Sequence, residues 1–181
     1  MASAFTHAFV AVAAGKISGR DPKPRWFWTT SIALSILPDL DVIGFAFGIR
    51  YEDFLGHRGF SHSIVFALVA GAAVLPLFAH RSWKLWLYFS AVTASHGFLD
   101  AMTDGGLGIA FFSPFDTTRY FLPWTPVGVS PIGVAPFFSS WGLAVLFTEL
   151  TFIWIPVTLI AAVWHFGRSQ ADRSTRKADP D

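Results

Sequence analysis

Four hydrophobic stretches of this chain carry acids and histidines where a membrane-crossing helix ordinarily carries none. Asp39 and Asp41 lie in IALSILPDLDVIGF, and His62 heads SHSIVFALVAGAAVLPLF. His96 and Asp100 lie in YFSAVTASHGFLDAM, and Glu149 lies in LAVLFTELTFIWIP. An ionisable side chain in hydrocarbon costs several kcal/mol or is driven to give up its charge. Six such residues in a chain of 181 call for one explanation. The most economical is that they face one another around a metal ion.

Composition sets the class. Hydrophobic residues make up 53% of the chain and charged residues only 14%, against about 25% charged in a soluble domain. Phe and Trp are abundant, which suits lipid contact and interfacial belts. The expectation is an all-α, polytopic membrane protein of about four transmembrane helices plus a short N-terminal helix. A net charge of +1 argues against nucleic acid as a partner. With no cysteine, disulfides and thiolate metal sites are excluded. A metal would then rest on nitrogen and oxygen, a donor set that suits Zn, Mn, Fe or Mg.

The pattern predicts a short retained helix over 4–15. No Lys or Arg precedes FVAVAAGK, which argues against a signal peptide. Residues 26–48 are long enough for a first span, interrupted at Pro38. A second is expected over 61–79 with Ser61 as N-cap, a third over 84–103 ended by Gly105-Gly106, and a fourth over 141–166. The Pro/Gly/aromatic segment between the third and fourth is too long and too apolar for a simple connector, so it is expected to cover a site. Residues 1–167 read as one domain, and 168–181 as a polar, disordered tail.

Ten Lys and Arg fall on one side of this topology (Lys16 to Arg25, Arg81, Lys84 and the tail) and three on the other (Arg50, Arg58, Arg119). The positive-inside rule puts the first set, tail included, in the cytoplasm and turns the 49–60 and 104–140 loops outward. At a rise of about 1.5 Å per residue, Asp39 and Asp41 lie roughly 20–22 Å from the cytoplasmic end, His96 about 17 Å and Asp100 about 23 Å. Glu149 falls about 18 Å up in a core about 30 Å thick. His7 lies about 13 Å up, with His57 and His62 at the outer mouth. Separate helices thus deliver their polar groups to one layer in the outer half.

His96 and Asp100 are four apart and share one helix face, so both can ligate one ion, or the Asp can orient the His. Asp104 continues that face if the helix persists. Asp39 and Asp41, two apart, would diverge on an unbroken helix, but a break at Pro38 lets one reach the site while the other caps a half-helix. In His57-Arg58-Gly59-Phe60-Ser61-His62-Ser63, two histidines can ligate or shuttle protons, Arg58 offers a fork for phosphate or carboxylate, and the serines can cap and orient. His7, alone on an apolar stripe, is as readily a core residue as a ligand. Glu149 fits a ligand, a general base or a structural acid equally. Arg119 could meet an anionic substrate or lipid headgroups.

An early His in a small helix, PDxD in the first span, HRGxSHS opening the next and HxxxD in the third resemble the YdjM-type family of inner-membrane metal-dependent hydrolases. The match runs from His7 to the PFD and PIG segments (Pro114–Asp116, Pro131–Gly133). The order is also distantly similar to the zinc-dependent phospholipase C and P1 nuclease group. That group's later HxxxE pair is missing here. The resemblance implies a divalent metal, zinc first, as one or more ions held by His7, Asp39 or Asp41, His57 or His62, His96 and Asp100. Asp39, Asp41, Arg58 and Glu149 are the expected catalytic groups.

The expected function is a hydrolase in a bacterial inner membrane, its site facing the periplasm. It would act on a phosphoester or other ester of a lipid-like or phosphorylated substrate, with membrane lipid as its surroundings. A metal or proton transporter is the alternative, although the cytoplasmic halves of the spans carry no charge to line a path. A purely structural membrane protein is the third reading. Ser, Thr and Asn would suffice for that, at about 0.6 kcal/mol per interhelical polar contact.

Overall fold

The computed structural model describes residues 1–19 and 23–178. It is all-helical. Among the described residues the only β pairing is two isolated bridges, Thr103 with Val127 and Ile109 with Tyr120. The helices are α1 (Ala4–Ile17), α2 (Arg25–Ile36), α3 (Ile64–Ala73), α4 (Trp83–Ala101), α5 (Val134–Phe137), α6 (Ser140–Glu149) and α7 (Ile155–Ala178). Two helical segments, Arg25–Phe47 and Ser140–Gln170, are long and apolar enough to cross a membrane. Ala4–Ile17 and Ile64–Leu77 are apolar but shorter.

Local chemistry explains most boundaries. Ser3 caps α1 by accepting from the Thr6 N–H, and Ser82 caps α4 by accepting from Leu85. At Pro38 the α-helical ladder of α2 gives way to a 3₁₀ helix, Leu37–Phe47, as a ring without an N–H requires. That tighter coil ends on Gly48 in the left-handed conformation. The expected second span is shorter than its pattern: Ser63, not Ser61, is the cap, accepting from Phe66 at 3.0 Å, because Phe60–His62 first forms a 3₁₀ turn. α4 stops at Ala101, before the expected glycines, and Asp104 therefore leaves the His96–Asp100 face. Its carboxylate accepts from the Val129 N–H at 2.8 Å instead. α7 continues to Ala178, through much of the stretch whose polarity predicts a disordered tail; residues 179–181 of that tail lie outside the described residues.

The apolar end of the bundle packs Phe27, Leu34, Ala70, Phe78 and Phe89. α3 lies against α4 at Gly71, where an added Cβ would stand 2.8 Å from the Ser90 backbone nitrogen and 2.4 Å from its Oγ. The segment over 140–170 buries little, and Leu143, Phe147, Leu159, Ile160 and Val163 are all at least 60% exposed. So large an apolar face is what lipid, rather than water, covers.

α1 is held at its start by the other end of the chain. Glu149 is fully buried and accepts from Ser3 N, Ser3 Oγ (2.6 Å) and Thr6 Oγ1 (2.8 Å). The Trp154 indole donates to Thr6 Oγ1 at 2.7 Å and stacks on Phe9. Five positions along an α-helix diverge by about 140°. Here Leu150–Trp154 forms a π-helical turn, whose wider coil lets Glu149 and Trp154 meet the same helix.

Gly71→Ala is expected to lower stability by about 1–3 kcal/mol through overpacking against Ser90, read as a lower unfolding midpoint in detergent. Glu149→Leu leaves three buried donors unpaired, at about 1–3 kcal/mol each. It should lower the midpoint more than Gly71→Ala does, and should raise proteolytic cleavage within α1.

Candidate metal centre

Four elements bring the ionisable residues together. α1 carries His7, the 3₁₀ helix after Pro38 carries Asp39 and Asp41, the 57–63 segment carries His57 and His62, and α4 carries His96 and Asp100. Asp39, His62, His96 and Asp100 each direct one donor atom into a space where all lie within 4.8 Å of one another, and all four residues are buried. His7 adjoins them: its Nε2 is 3.4 Å from Asp100 Oδ1, and its ring stacks on His96 with centroids 3.7 Å apart.

The hydrogen bonds around the rim fix which nitrogen faces inward. His96 Nδ1 lies 2.7 Å from the Ser35 carbonyl. A carbonyl only accepts, so Nδ1 carries the proton and Nε2 presents a lone pair. Ser61 Oγ donates to Asp41 Oδ2 at 2.6 Å and lies 3.0 Å from His62 Nδ1. Its single hydrogen is committed to the carboxylate, so it accepts from His62, whose Nε2 also turns its lone pair inward.

The inward lone pairs face carboxylate oxygens. His96 Nε2 is 3.2 Å from Asp39 Oδ1, and His62 Nε2 is 3.8 Å from Asp39 Oδ1 and 3.7 Å from Asp100 Oδ2. None of these contacts meets hydrogen-bond geometry. His62 Nε2, His96 Nε2, both nitrogens of His7, both oxygens of Asp39 and Asp100 Oδ2 are buried without a partner. Buried polar atoms are rarely left unpaired, and seldom several in one place. Inner nitrogens facing carboxylate oxygens call for positive charge between them, a second proton on an imidazole or a bound cation, and N/O donors in this number suit a divalent ion.

Asp41 and His57 form an outer layer. Asp41 accepts from His57 Nδ1 (2.7 Å), Ser61 Oγ and the Arg58 N–H (3.2 Å), and its Oδ2 lies 3.3 Å from His62 Nδ1. A carboxylate so engaged orients an imidazole rather than binding an ion itself. His57, Asp41 and the outer nitrogen of His62 also form a second group with donor atoms within 4.8 Å of one another.

Arg58 is fully buried at a left-handed φ of 64°. It donates to the Gly105 carbonyl (2.6 Å) and Thr103 Oγ1 (2.9 Å), and its Nε lies 3.4 Å from Asp100 Oδ2. Its fork is therefore engaged with the protein, not free for an incoming anion as the motif alone implies. Arg119 likewise serves the chain, donating to the carbonyls of His57, Tyr51 and Asp53 and bracing the HRG turn. Glu149, a candidate base in the sequence, lies outside the group and holds α1. Sequence reasoning missed two partners, the Ser35 carbonyl and the Ala2 N–H, which donates to Asp100 Oδ1 at 2.6 Å. Both are backbone groups, which no side-chain motif reports.

The comparisons with known proteins agree with the membrane character of the chain. An inner membrane protein of Escherichia coli (strain K12), described as inner membrane protein YbcI, is 34% identical over 171 residues, covering 91% of this chain and 98% of that relative. No solved structure matches the chain, and nothing supports the distant likeness to the phospholipase C and P1 nuclease group. The family model described as YdjM inner membrane protein matches residues 1–173, and the chain belongs to that family.

Proposed function

We propose that the protein is a membrane-embedded, metal-dependent hydrolase acting on an ester of a lipid-like substrate at the outer face of the inner membrane. The observation that carries this reading is the set of buried, unpartnered donors of Asp39, His62, His96 and Asp100, with His7 beside them, aimed at one point. A purely structural polar cluster would satisfy its own members, as Asp41, His57 and Ser61 do. In this reading the chain crosses the membrane four times, along Arg25–Phe47, Ile64–Leu77, α4 and the segment over 140–170, with the Lys/Arg-rich side in the cytoplasm.

Asp39, His62, His96 and Asp100 would hold a divalent ion, zinc fitting the imidazole-rich set best. Such an ion supplies Lewis-acid polarisation of an ester and acidifies water. The residues contribute the rest. The Ser35 carbonyl and the Ser61–Asp41 pair hold two imidazoles in the ligating tautomer. The buried Arg58 guanidinium, 3.4 Å from Asp100 Oδ2, would steady that carboxylate electrostatically. Asp39, at 7% exposed, is the member nearest to an opening and the best placed to take a proton from water.

Elemental analysis of purified, detergent-solubilised protein is expected to find a stoichiometric divalent metal. His96→Ala and Asp39→Ala should each lower the metal-to-protein ratio at least tenfold while the protein still inserts. Asp41→Asn should weaken binding by about 10–100-fold. Chelation should abolish phosphodiester hydrolysis, and added zinc should restore it. Full hydrolysis by metal-free His96→Ala protein would overturn the proposal, and metal uptake into proteoliposomes would favour a transporter.

A further inference from the structure

The ion-sized centre is closed on nearly every side. His7, His62, His96 and Asp100 are at most 3% exposed. Asp39 lines a surface cavity with a volume of about 480 Å³. That volume falls within the roughly 300–1,000 Å³ usual for small-molecule sites. Its two ends differ in chemistry. Ser3 and Ser130 share the cavity lining with Asp39, while Ala4, Phe5, Val42, Val134, Phe137 and Phe138 are among its apolar walls. The apolar rim is open: Val134 and Phe138 are 77% and 78% exposed. A cavity polar at its deep end and aromatic at its mouth, bordered by a helix apolar enough to cross a membrane, opens to lipid rather than to water.

Charge at the deep end is balanced: the carboxylates of Asp39, Asp41 and Asp100 together match one divalent ion and the buried Arg58 guanidinium, so the site takes a polar headgroup without selecting its net charge.

We propose that this cavity is the substrate's entry and acyl-chain site. In it a phospholipid from the surrounding bilayer lays one chain along Phe5, Val134, Phe137 and Phe138 and brings its phosphate ester to Asp39. The proposal rests on the metal-hydrolase reading for what happens at Asp39, but the lipid site is testable without any turnover.

The probe is a phosphatidylglycerol carrying a terminal diazirine on one acyl chain, photolysed with the full-length protein in phosphatidylcholine nanodiscs. Labelled peptides are mapped by mass spectrometry, and metal content is measured on the same samples. Labelling is expected to concentrate on Phe5 and the 134–138 segment, above the level at Leu159 and Val163, which report bulk lipid. Val134→Trp and Ala4→Phe, on two walls of the cavity, should each cut this labelling at least fivefold with metal content unchanged. Labelling no stronger than at Leu159 and Val163, or unaffected by both substitutions, would overturn the proposal. Focused labelling, lost in both variants, of a protein that holds no metal would support the lipid site and refute the metal reading instead.

Discussion

The structure turns on lone pairs that face one another. Two histidines are held by their outer nitrogens, so their inner nitrogens confront the oxygens of Asp39 and Asp100 across 3.2 to 3.9 Å. No arrangement of neutral imidazoles and carboxylates makes that contact favourable in a dry interior. Everything around the centre enforces it: the break at Pro38, the 3₁₀ turn before α3, the serine that has only one hydrogen to give, and an arginine clamped between α4 and the loop after it. Four buried residues so arranged could hold a metal ion.

Much of this was legible in the sequence because the membrane makes polar residues conspicuous. The convergence of Asp39, His96 and Asp100 follows from matching depths along helices; the structure adds His62, expected at the outer mouth, with all four donor atoms within 4.8 Å of one another, and leaves out Glu149, expected in the same layer but engaged with Ser3 and Thr6. The kink at Pro38 was legible because proline has no N–H to give. The division of labour between Asp39 and Asp41 was not. Both precede or follow a leucine in the same motif, and only the 3₁₀ path decides that one looks inward while the other meets His57 and Ser61.

Three charged residues that the sequence leaves open find partners within the chain. Arg58 reads as a fork for phosphate or carboxylate, Arg119 as a contact for an anion or lipid headgroups, and Glu149 equally as a ligand, a base or a structural acid. In the structure each meets backbone or hydroxyl partners: loop carbonyls and the Thr103 hydroxyl for the arginines, the start of α1 for the glutamate. Backbone groups are invisible to motif reading, and at loop turns and helix starts they are abundant. The length of the second span was overestimated for a related reason. Hydrophobicity continues from Ile64 to Phe78, but the regular α-helical ladder ends at Ala73 and a 3₁₀ turn around Pro76 follows.

The tie between Ser3 and Glu149 joins residues 146 positions apart. His7 rides on the helix that this tie seats. During synthesis the first helix is made long before its anchor exists, and contacts of such separation form late. His7 can therefore take its seat beside the other donors only after Glu149 has been made. A chain arrested or truncated before Glu149 would carry nearly every inward-facing donor and still lack the fastening that keeps its earliest histidine in register.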